Sequence, residues 1–129
     1  MKIALIGYGK MGKAIEAVAL QKGHQVVLKI DVSNAAEFTQ ANADKADVAI
    51  EFTGPHSAVK NILQCIEYGL PVVSGSTGWL EQWAQVEAAC AAKNGTVVYS
   101  SNYSIGVNLF FEINKQLAKL MDPYPDYNV

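Results

Sequence analysis

Short runs of consecutive apolar residues recur along the chain, separated by longer stretches whose apolar positions have helical spacing. The runs are apolar at neighbouring positions rather than at every second one, which is typical of strands buried on both faces of a parallel sheet. We predict five strands, at Lys2–Ile6, Gln25–Ile30, Val48–Phe52, Pro71–Ser74 and Thr96–Tyr99.

The intervening stretches predict helices over Lys10–Lys22, Asn34–Ala41, Ala58–Tyr68, Leu80–Lys93 and Ile105–Met121. Ser57 is the expected N-cap of the third helix. Regular alternation of strands and helices predicts right-handed βαβ crossovers. We therefore expect an α/β fold of the Rossmann type. It is a doubly wound parallel sheet of about five strands in the order 3-2-1-4-5, with helices on both faces.

Three glycines follow the first predicted strand with the spacing G-x-G-x-x-G, at Gly7, Gly9 and Gly12. Gly7 allows a tight turn, Gly9 lets the main chain approach ligand oxygens, and Gly12 lets the next helix pack closely. That helix directs unpaired N–H groups at a pyrophosphate. Asp31 follows the second strand about 20 residues later, where a carboxylate binds ribose hydroxyls. The context predicts a dinucleotide site; the alternative is a flavodoxin-like or other doubly wound turn without cofactor.

Three further loops follow predicted strands at the carboxyl edge of the sheet, where open α/β sheets bind ligands. They are short, polar and rich in Gly, Ser and Thr, and they cover residues 52–57, 75–78 and 100–104. Such loops let backbone N–H groups and hydroxyls approach a flat ring or a ribose. We expect them to complete the site begun by the glycine motif.

The composition fits one compact domain of 129 residues, half of them hydrophobic. A net charge of −2 and a pI near 5.6 argue against a nucleic-acid or anionic-membrane partner. No apolar stretch approaches the roughly 18 residues of a membrane span, and Gly7 and Lys10 interrupt any secretory signal. Cys65 and Cys90 make no metal-ligand spacing with a histidine, so we expect free thiols, no metal and a cytoplasmic location.

Four motifs in combination resemble the 4-hydroxy-tetrahydrodipicolinate reductase (dihydrodipicolinate reductase) family of bacterial lysine biosynthesis: GYGKMG, IEFTGP, GSTGW and SNYSIGVN. The resemblance covers Lys2 to Asn128, the N-terminal half of that family. It implies a nicotinamide-dependent reductase of a cyclic imine dicarboxylate, tetrameric at full length. The cofactor-binding residues that it implies are Gly7, Gly9, Lys10, Met11, Gly12, Phe52, Thr53, Gly75, Thr77, Ser101, Asn102 and Tyr103. Thr77 is also expected near the substrate.

We assign no catalytic residue in this chain. The resemblance implies that the family's paired histidines, a Lys and a Pro-Ser-Gly-Thr turn would begin beyond Val129. His24 and His56 match neither of the paired histidines. We therefore expect residues 1–121 to form the dinucleotide-binding domain and residues 122–129 to form a linker toward an absent C-terminal catalytic and tetramerisation domain. This chain alone is then expected to bind cofactor without reducing 4-hydroxy-tetrahydrodipicolinate to tetrahydrodipicolinate.

The last predicted helix, Ile105–Met121, has apolar residues on more than one face. We expect the surplus to pack against a second domain and, without that domain, to drive self-association. The alternative is that this helix closes the edge of the sheet.

The choice between NAD and NADP depends on Asp31. A carboxylate there accepts hydrogen bonds from both ribose hydroxyls and repels a 2′-phosphate, which favours NADH. Lys29, Lys10 and Lys13 could offset that repulsion, although Lys is a less geometric phosphate ligand than Arg. The sequence therefore predicts NAD, with NADP as an alternative.

Two further features and two other functions stay open. Glu51 interrupts an apolar strand, so it is either a structural residue or part of the cofactor side. Trp79 and Trp83 are expected to pack rather than to stack on a ligand ring. Homoserine, aspartate-semialdehyde or diaminopimelate dehydrogenases share the glycine motif but lack the F-T-x-P and N-Y-S-I-G-V-N pair at this spacing. A non-catalytic NAD-sensing domain is the other alternative.

Overall fold

A computed structural model describes residues 1–126 of the chain and forms a five-stranded sheet with every strand pair parallel. In chain order the strands and helices are β1 (Lys2–Ile6), α1 (Lys10–Gln21), β2 (Gln25–Ile30), α2 (Gln40–Ala43), β3 (Val48–Glu51), α3 (Pro55–Glu67), β4 (Val72–Ser74), α4 (Trp83–Lys93), β5 (Val97–Tyr99) and α5 (Ile105–Met121). Short 3-10 segments over Val32–Glu37 and Leu80–Gln82 precede α2 and α4. The predicted α/β class is confirmed.

Each predicted strand and four of the five predicted helices are found, with bounds that differ by up to three residues at their starts or ends. The stretch predicted as one helix over Asn34–Ala41 is instead a 3-10 segment followed by the single turn of α2. The prediction of Ser57 as an N-cap was wrong, because α3 already begins at Pro55 with Gly54 at its cap. Proline is favoured at the first position of a helix, since its missing N–H would have no partner there.

The predicted strand order was wrong in one respect. The observed order is β2-β1-β3-β4-β5, with β3 paired to β1 rather than placed outside β2. The reason lies in residues 31–47, which form only short helical turns and supply no strand beyond β2. The next strand then crosses back to the free edge of β1. This puts the topological switch point between β1 and β3, where ligands bind in such sheets.

Helices cover the two faces of the sheet unequally. One face packs against α3 and α4 in the larger core, which contains Ala58, Ile62 and Val86. The other face packs against α1 through Ile3, Leu5 and Ala19. The sheet is therefore doubly wound, as predicted, with a heavier layer on the α3 side.

The tryptophans pack as predicted. Trp79 is buried in the larger core, with its ring stacked on Trp83 at 5.8 Å and edge-on to Tyr99 at 5.1 Å. Its Nε1 donates to the carbonyl oxygen of Ser76 at 2.8 Å, which satisfies the indole's polar group inside the core. This side chain therefore anchors the loop after β4 to the protein interior.

Helix α5 stands apart from the core. None of its residues, all of which the structure describes, is buried; Ile105 is 79% exposed and Leu120 is 71% exposed. The alternative in which this helix closes the sheet edge is therefore not observed. Of the proposed linker 122–129, residues 127–129 lie outside the described part. Among residues 1–126, no helix combines the length and the apolar character that crossing a bilayer requires.

Candidate functional site

The turn after β1 has a backbone that only glycine fits. Gly7 has φ +96°, and its N–H donates to the carbonyl oxygen of Ile30 at 2.8 Å. A Cβ at this position would lie 2.1 Å from the carbonyl oxygen of Phe52. Gly7 therefore lets the turn pass directly over the end of β3, which brings the loops after β1 and β3 together.

Gly12 and Gly9 have different surroundings in the same turn. A Cβ on Gly12 would lie 2.4 Å from the carbonyl oxygen of Gly7, so Gly12 lets α1 pack against its own turn. A Cβ on Gly9 would meet no protein atom within 4 Å. The space in front of Gly9 is open, as a ligand site requires.

Gly9 is the N-cap of α1, and it has no side chain to cap the helix. The first N–H groups of a helix have no intrahelical acceptor, and the helix dipole adds a partial positive charge there. In α1 the first backbone bond runs from Lys13 N–H to the carbonyl oxygen of Gly9 at 3.0 Å. The N–H groups before Lys13 are thus free to bind an anion such as a pyrophosphate, so these residues fit a dinucleotide.

A cavity of about 430 Å³ opens beside this turn, and we call it the Asp31 cavity. Its lining comes from the ends of β1, β2 and β3 and the start of α3: Ile6, Gly7, Gly9, Ile30, Asp31, Val32, Ala35, Phe52, Thr53, His56, Ser57, Lys60 and Asn61. Five of the residues predicted for the cofactor are among them.

A second cavity of about 540 Å³ lies on the other side of Phe52, and we call it the Asn102 cavity. It is lined by Met11, Ile15, Ile50, Phe52, Val73, Gly75, Ser101, Asn102, Tyr103 and Ser104. Phe52 borders both cavities, and its ring lies against Gly75, where a Cβ would be 2.0 Å from the Phe52 Cζ. Together the two cavities bring ten of the predicted residues to one edge of the sheet.

Three predicted residues line neither cavity. Gly12 is buried behind the turn, Lys10 is exposed at the first position of α1, and Thr77 is exposed in the loop after β4. Lys10 remains adjacent to the open N-terminus of the helix. Thr77 follows Ser76, which is buried.

Asp31 directly follows β2, and one oxygen of its carboxylate accepts a hydrogen bond from the backbone. Its Oδ1 accepts from the N–H of Val32 at 2.8 Å, and its own N–H donates to Asn34 Oδ1 at 2.7 Å. Within the described residues, no hydrogen bond reaches Asp31 Oδ2. Because Asp31 lines the cavity, this oxygen is available to accept from a ribose hydroxyl.

Lys29 does not contact the Asp31 cavity. Its Nζ lies 2.6 Å from Glu16 Oε1 and 5.0 Å from the centre of the Tyr8 ring, and the Tyr8 hydroxyl donates to Glu16. The hydrogen bond from Lys29 lowers the pKa of Glu16, and the same bond raises the pKa of Lys29. Lys29 thus forms an ion pair with Glu16 of α1 and does not offset the charge of Asp31.

The loop after β5 is held by its own side chains. Asn102 Oδ1 accepts from the N–H of Ser104 at 2.8 Å, and Asn108 Nδ2 donates to the carbonyl oxygen of Asn102 at 3.0 Å. The Tyr103 hydroxyl donates to the carbonyl oxygen of Ser74 at 3.0 Å, and burial raises the pKa of Tyr103. These hydrogen bonds therefore hold the loop in the conformation in which Ser101 and Asn102 line the cavity.

Sequence reasoning included His56 and Ser57 in a loop expected to complete the site, but it missed Lys60 and Asn61 farther along α3. His56, Lys60 and Asn61 line the Asp31 cavity from the first turns of this helix, and Asn61 Nδ2 donates to Thr53 Oγ1 at 3.3 Å. Lys60 and Asn61 follow His56 and Ser57 by four residues each, and positions four residues apart share a helix face. That spacing, counted from the loop after β3, was the signal that could have indicated them.

Comparison with known proteins identifies the family. Residues 1–103 match the family model described as "Dihydrodipicolinate reductase, N-terminus". The chain belongs to this family. The dihydrodipicolinate reductase N-terminal domain is a nicotinamide dinucleotide-binding domain, which agrees with the open glycine turn and the paired cavities. The chain is also 43% identical over its whole length to a 4-hydroxy-tetrahydrodipicolinate reductase of Christiangramia forsetii, of which it covers 53%.

Solved structures support the fold of this dihydrodipicolinate reductase domain. Proteins assigned as a homoserine dehydrogenase of Archaeoglobus fulgidus and an oxidoreductase of Klebsiella pneumoniae each superpose with a TM-score of 0.59. A homoserine dehydrogenase of Thiobacillus denitrificans superposes with a TM-score of 0.52. Each match covers 77% of this chain and 42%, 34% and 29% of the respective structures. Identities of 16–18% show a shared fold alone.

Proposed function

We propose that this chain binds NADH across the two cavities, as the cofactor-binding part of a 4-hydroxy-tetrahydrodipicolinate reductase of lysine (diaminopimelate) biosynthesis. The relative of Christiangramia forsetii carries the name of this enzyme, and the chain spans about half of that relative's length. The observation that carries the proposal is the open space before Gly9, which lines the Asp31 cavity, at a helix N-terminus without a side-chain cap.

The residues suggest one orientation for the cofactor. The ribose of the adenosine half would bind Asp31, and the pyrophosphate would lie on the N–H groups of Gly9, Lys10 and Met11. The nicotinamide would enter the Asn102 cavity beside Gly75, since Phe52 separates that space from the Asp31 cavity. Bound there, NADH supplies the hydride, and Thr77 would lie near the substrate.

The preference for NADH over NADPH rests on charge near Asp31. Its free carboxylate oxygen can accept from a ribose hydroxyl but would repel a 2′-phosphate. Lys29, the cation that could have compensated on the same strand, is paired with Glu16. Lys60 at the far wall of the cavity is the remaining cation that lines it among the described residues, so we expect weak NADPH binding rather than none.

The described residues that line the Asn102 cavity do not include the groups that reduction of an imine dicarboxylate needs. Among the described residues that line the Asn102 cavity, none carries a charge at neutral pH, so cations for two carboxylates are missing there. No histidine lines it to donate a proton. We propose that these groups come from other parts of a complete, tetrameric reductase and that this chain alone binds cofactor without turnover.

Fluorescence titration of the 129-residue chain with NADH and NADPH tests the proposal. We expect saturable NADH binding with a shift of the reduced-nicotinamide emission, and weaker binding of NADPH. Failure of both dinucleotides to bind below millimolar concentration would refute the cofactor assignment.

Assays of NADH oxidation distinguish the remaining candidate functions. Addition of 4-hydroxy-tetrahydrodipicolinate to the NADH-loaded chain should give no oxidation of NADH, whereas a chain rejoined to the remainder of a reductase should be active. Oxidation of NADH by homoserine-pathway substrates would instead favour another dehydrogenase. The family match and the structural neighbours, which share only the fold, do not favour that alternative.

A further inference from the structure

Glu51, the last residue of β3, carries a fully buried carboxylate that the proposed cofactor contacts do not use. Its relative exposure is 0%. Neither of the ion pairs found among residues 1–126 involves it. A buried charge without a cation is costly unless hydrogen bonds replace its hydration. The burial of the Glu51 carboxylate therefore needs hydrogen bonds that compensate for its lost hydration.

Four donors surround the Glu51 carboxylate. Oε1 accepts from the Thr53 N–H at 2.9 Å, from Thr53 Oγ1 at 2.5 Å and from Ser76 Oγ at 2.8 Å. Oε2 accepts from Ser74 Oγ at 2.6 Å. Backbone and hydroxyl donors, rather than a Lys, thus satisfy this group, and the interpretation of Glu51 as a structural residue agrees with these contacts.

These bonds join loops that are distant in the sequence. Thr53 lies in the loop after β3, and Ser76 lies in the loop after β4; Ser76 Oγ also accepts from the Thr53 N–H at 2.9 Å. Ser74 extends the network, because its carbonyl oxygen accepts from the Tyr103 hydroxyl of the loop after β5. One carboxylate therefore links the loops that border the Asn102 cavity.

Phe52 is the residue whose position depends most on this link. It lies between Glu51 and Thr53 in the chain, and its ring packs on Gly75, which is next to Ser74 and Ser76. The ring separates the two cavities. If the two loops shift relative to one another, the Phe52 ring moves and the wall of the Asn102 cavity changes.

We propose that Glu51 is a positioning residue that holds the loops after β3, β4 and β5 in the arrangement that accepts the nicotinamide half of the cofactor. The inference rests on the proposed function. Gly9 and Asp31 have no hydrogen bond to Glu51 among those described, so the direct contacts to the ribose and the pyrophosphate do not pass through it. Thr53, which Glu51 binds, also lines the Asp31 cavity, so we expect a small effect on the adenosine half and a larger one on the nicotinamide half.

This role is tested by measuring how tightly Glu51→Gln binds NADH, the complete cofactor, and ADP, which corresponds to its adenosine half. The amide keeps the shape but removes the charge and replaces one of the two acceptor oxygens with a donor, so part of the hydrogen bonding between the loops is lost and the rest is weakened. We expect NADH to bind roughly tenfold more weakly, because hydrogen bonds to charged groups are the stronger ones. ADP, which occupies only the Asp31 cavity and the glycine turn, should bind within about twofold of the parent chain.

Glu67→Gln is the matched control. Glu67 lies on α3 and makes only an exposed ion pair, with Lys93 at 3.0 Å, so the same chemical change should alter neither affinity. Ser76→Ala is the second variant, since it removes the hydroxyl between Thr53 and Glu51 at a residue that lines neither cavity. It should weaken NADH binding about threefold or more and leave ADP binding unchanged.

The outcomes are distinct. Parent-like NADH affinity in Glu51→Gln overturns the positioning role while leaving the proposed function intact. Equal weakening of NADH and ADP in Glu51→Gln and Ser76→Ala overturns it as well, because that pattern is a general loss of structure. If Glu51→Gln does not fold, as judged by circular dichroism, Ser76→Ala decides. A parent chain that binds neither ligand overturns both proposals.

Discussion

Replacing Gly9 with valine would put a branched side chain into the space where the pyrophosphate is proposed to lie. The backbone at Gly9 has φ −83° and ψ −150°, at the border of the extended region and outside the left-handed region that favours glycine. A Cβ there meets no protein atom within 4 Å. The substitution is therefore expected to block the ligand while leaving the turn unstrained.

The magnitude follows from the bonds that the phosphate would lose. A hydrogen bond to a charged group contributes about 1.5–3 kcal/mol. Displacement of the pyrophosphate from two backbone N–H groups then costs about 3 kcal/mol, a loss of affinity on the order of 100-fold. Stability should change much less, because valine in place of glycine at an N-cap costs roughly 0.5–1 kcal/mol.

Titration of NADH and ADP against Gly9→Val, together with thermal unfolding, measures both effects. Both ligands should lose affinity, since both carry the phosphates. Gly106→Val is the control: Gly106 lies in α5, where the nearest atom to an added Cβ is Ser104 Oγ at 3.9 Å, remote from the glycine turn. Unchanged NADH affinity in a folded Gly9→Val chain would refute the assignment of the pyrophosphate to this turn.

Three other substitutions and treatments test the surroundings of the site. Asp31→Asn should weaken NADH binding several-fold and narrow the difference from NADPH, measured by paired titrations. Gly12→Val should lower the melting temperature, because its Cβ would lie 2.4 Å from the Gly7 carbonyl oxygen. Cys65 should resist thiol reagents at pH 8 in the native chain and react only on unfolding, since burial and then the Glu51 carboxylate raise its pKa to about 12.

Local sequence signals predicted the individual elements well. β1 and β2 have the predicted bounds, α1 ends one residue early, and the glycine motif lies in the turn that its spacing indicated. These features depend on residues that are close in the chain, such as Gly7 beside the end of β1.

The strand order could not be read from local signals. The composition of residues 31–47 is helical. Whether β3 pairs outside β2 or with the free edge of β1 is decided only when the sheet forms. The contribution of α3 to the Asp31 cavity also depends on strand pairing, which local signals do not show. His56 and Lys60 reach the cavity only because β3 lies beside β1.

The sequence by itself determined where the chain turns, which segments are apolar, and which glycine leaves an anion-sized opening, because side-chain size and backbone freedom act within a few residues. Only the tertiary structure decided that Glu51 joins Thr53, Ser74 and Ser76, and that Phe52 divides one cleft into two cavities. A buried carboxylate needs donors from several strands at once, and the pairing of those strands is a property of the folded sheet.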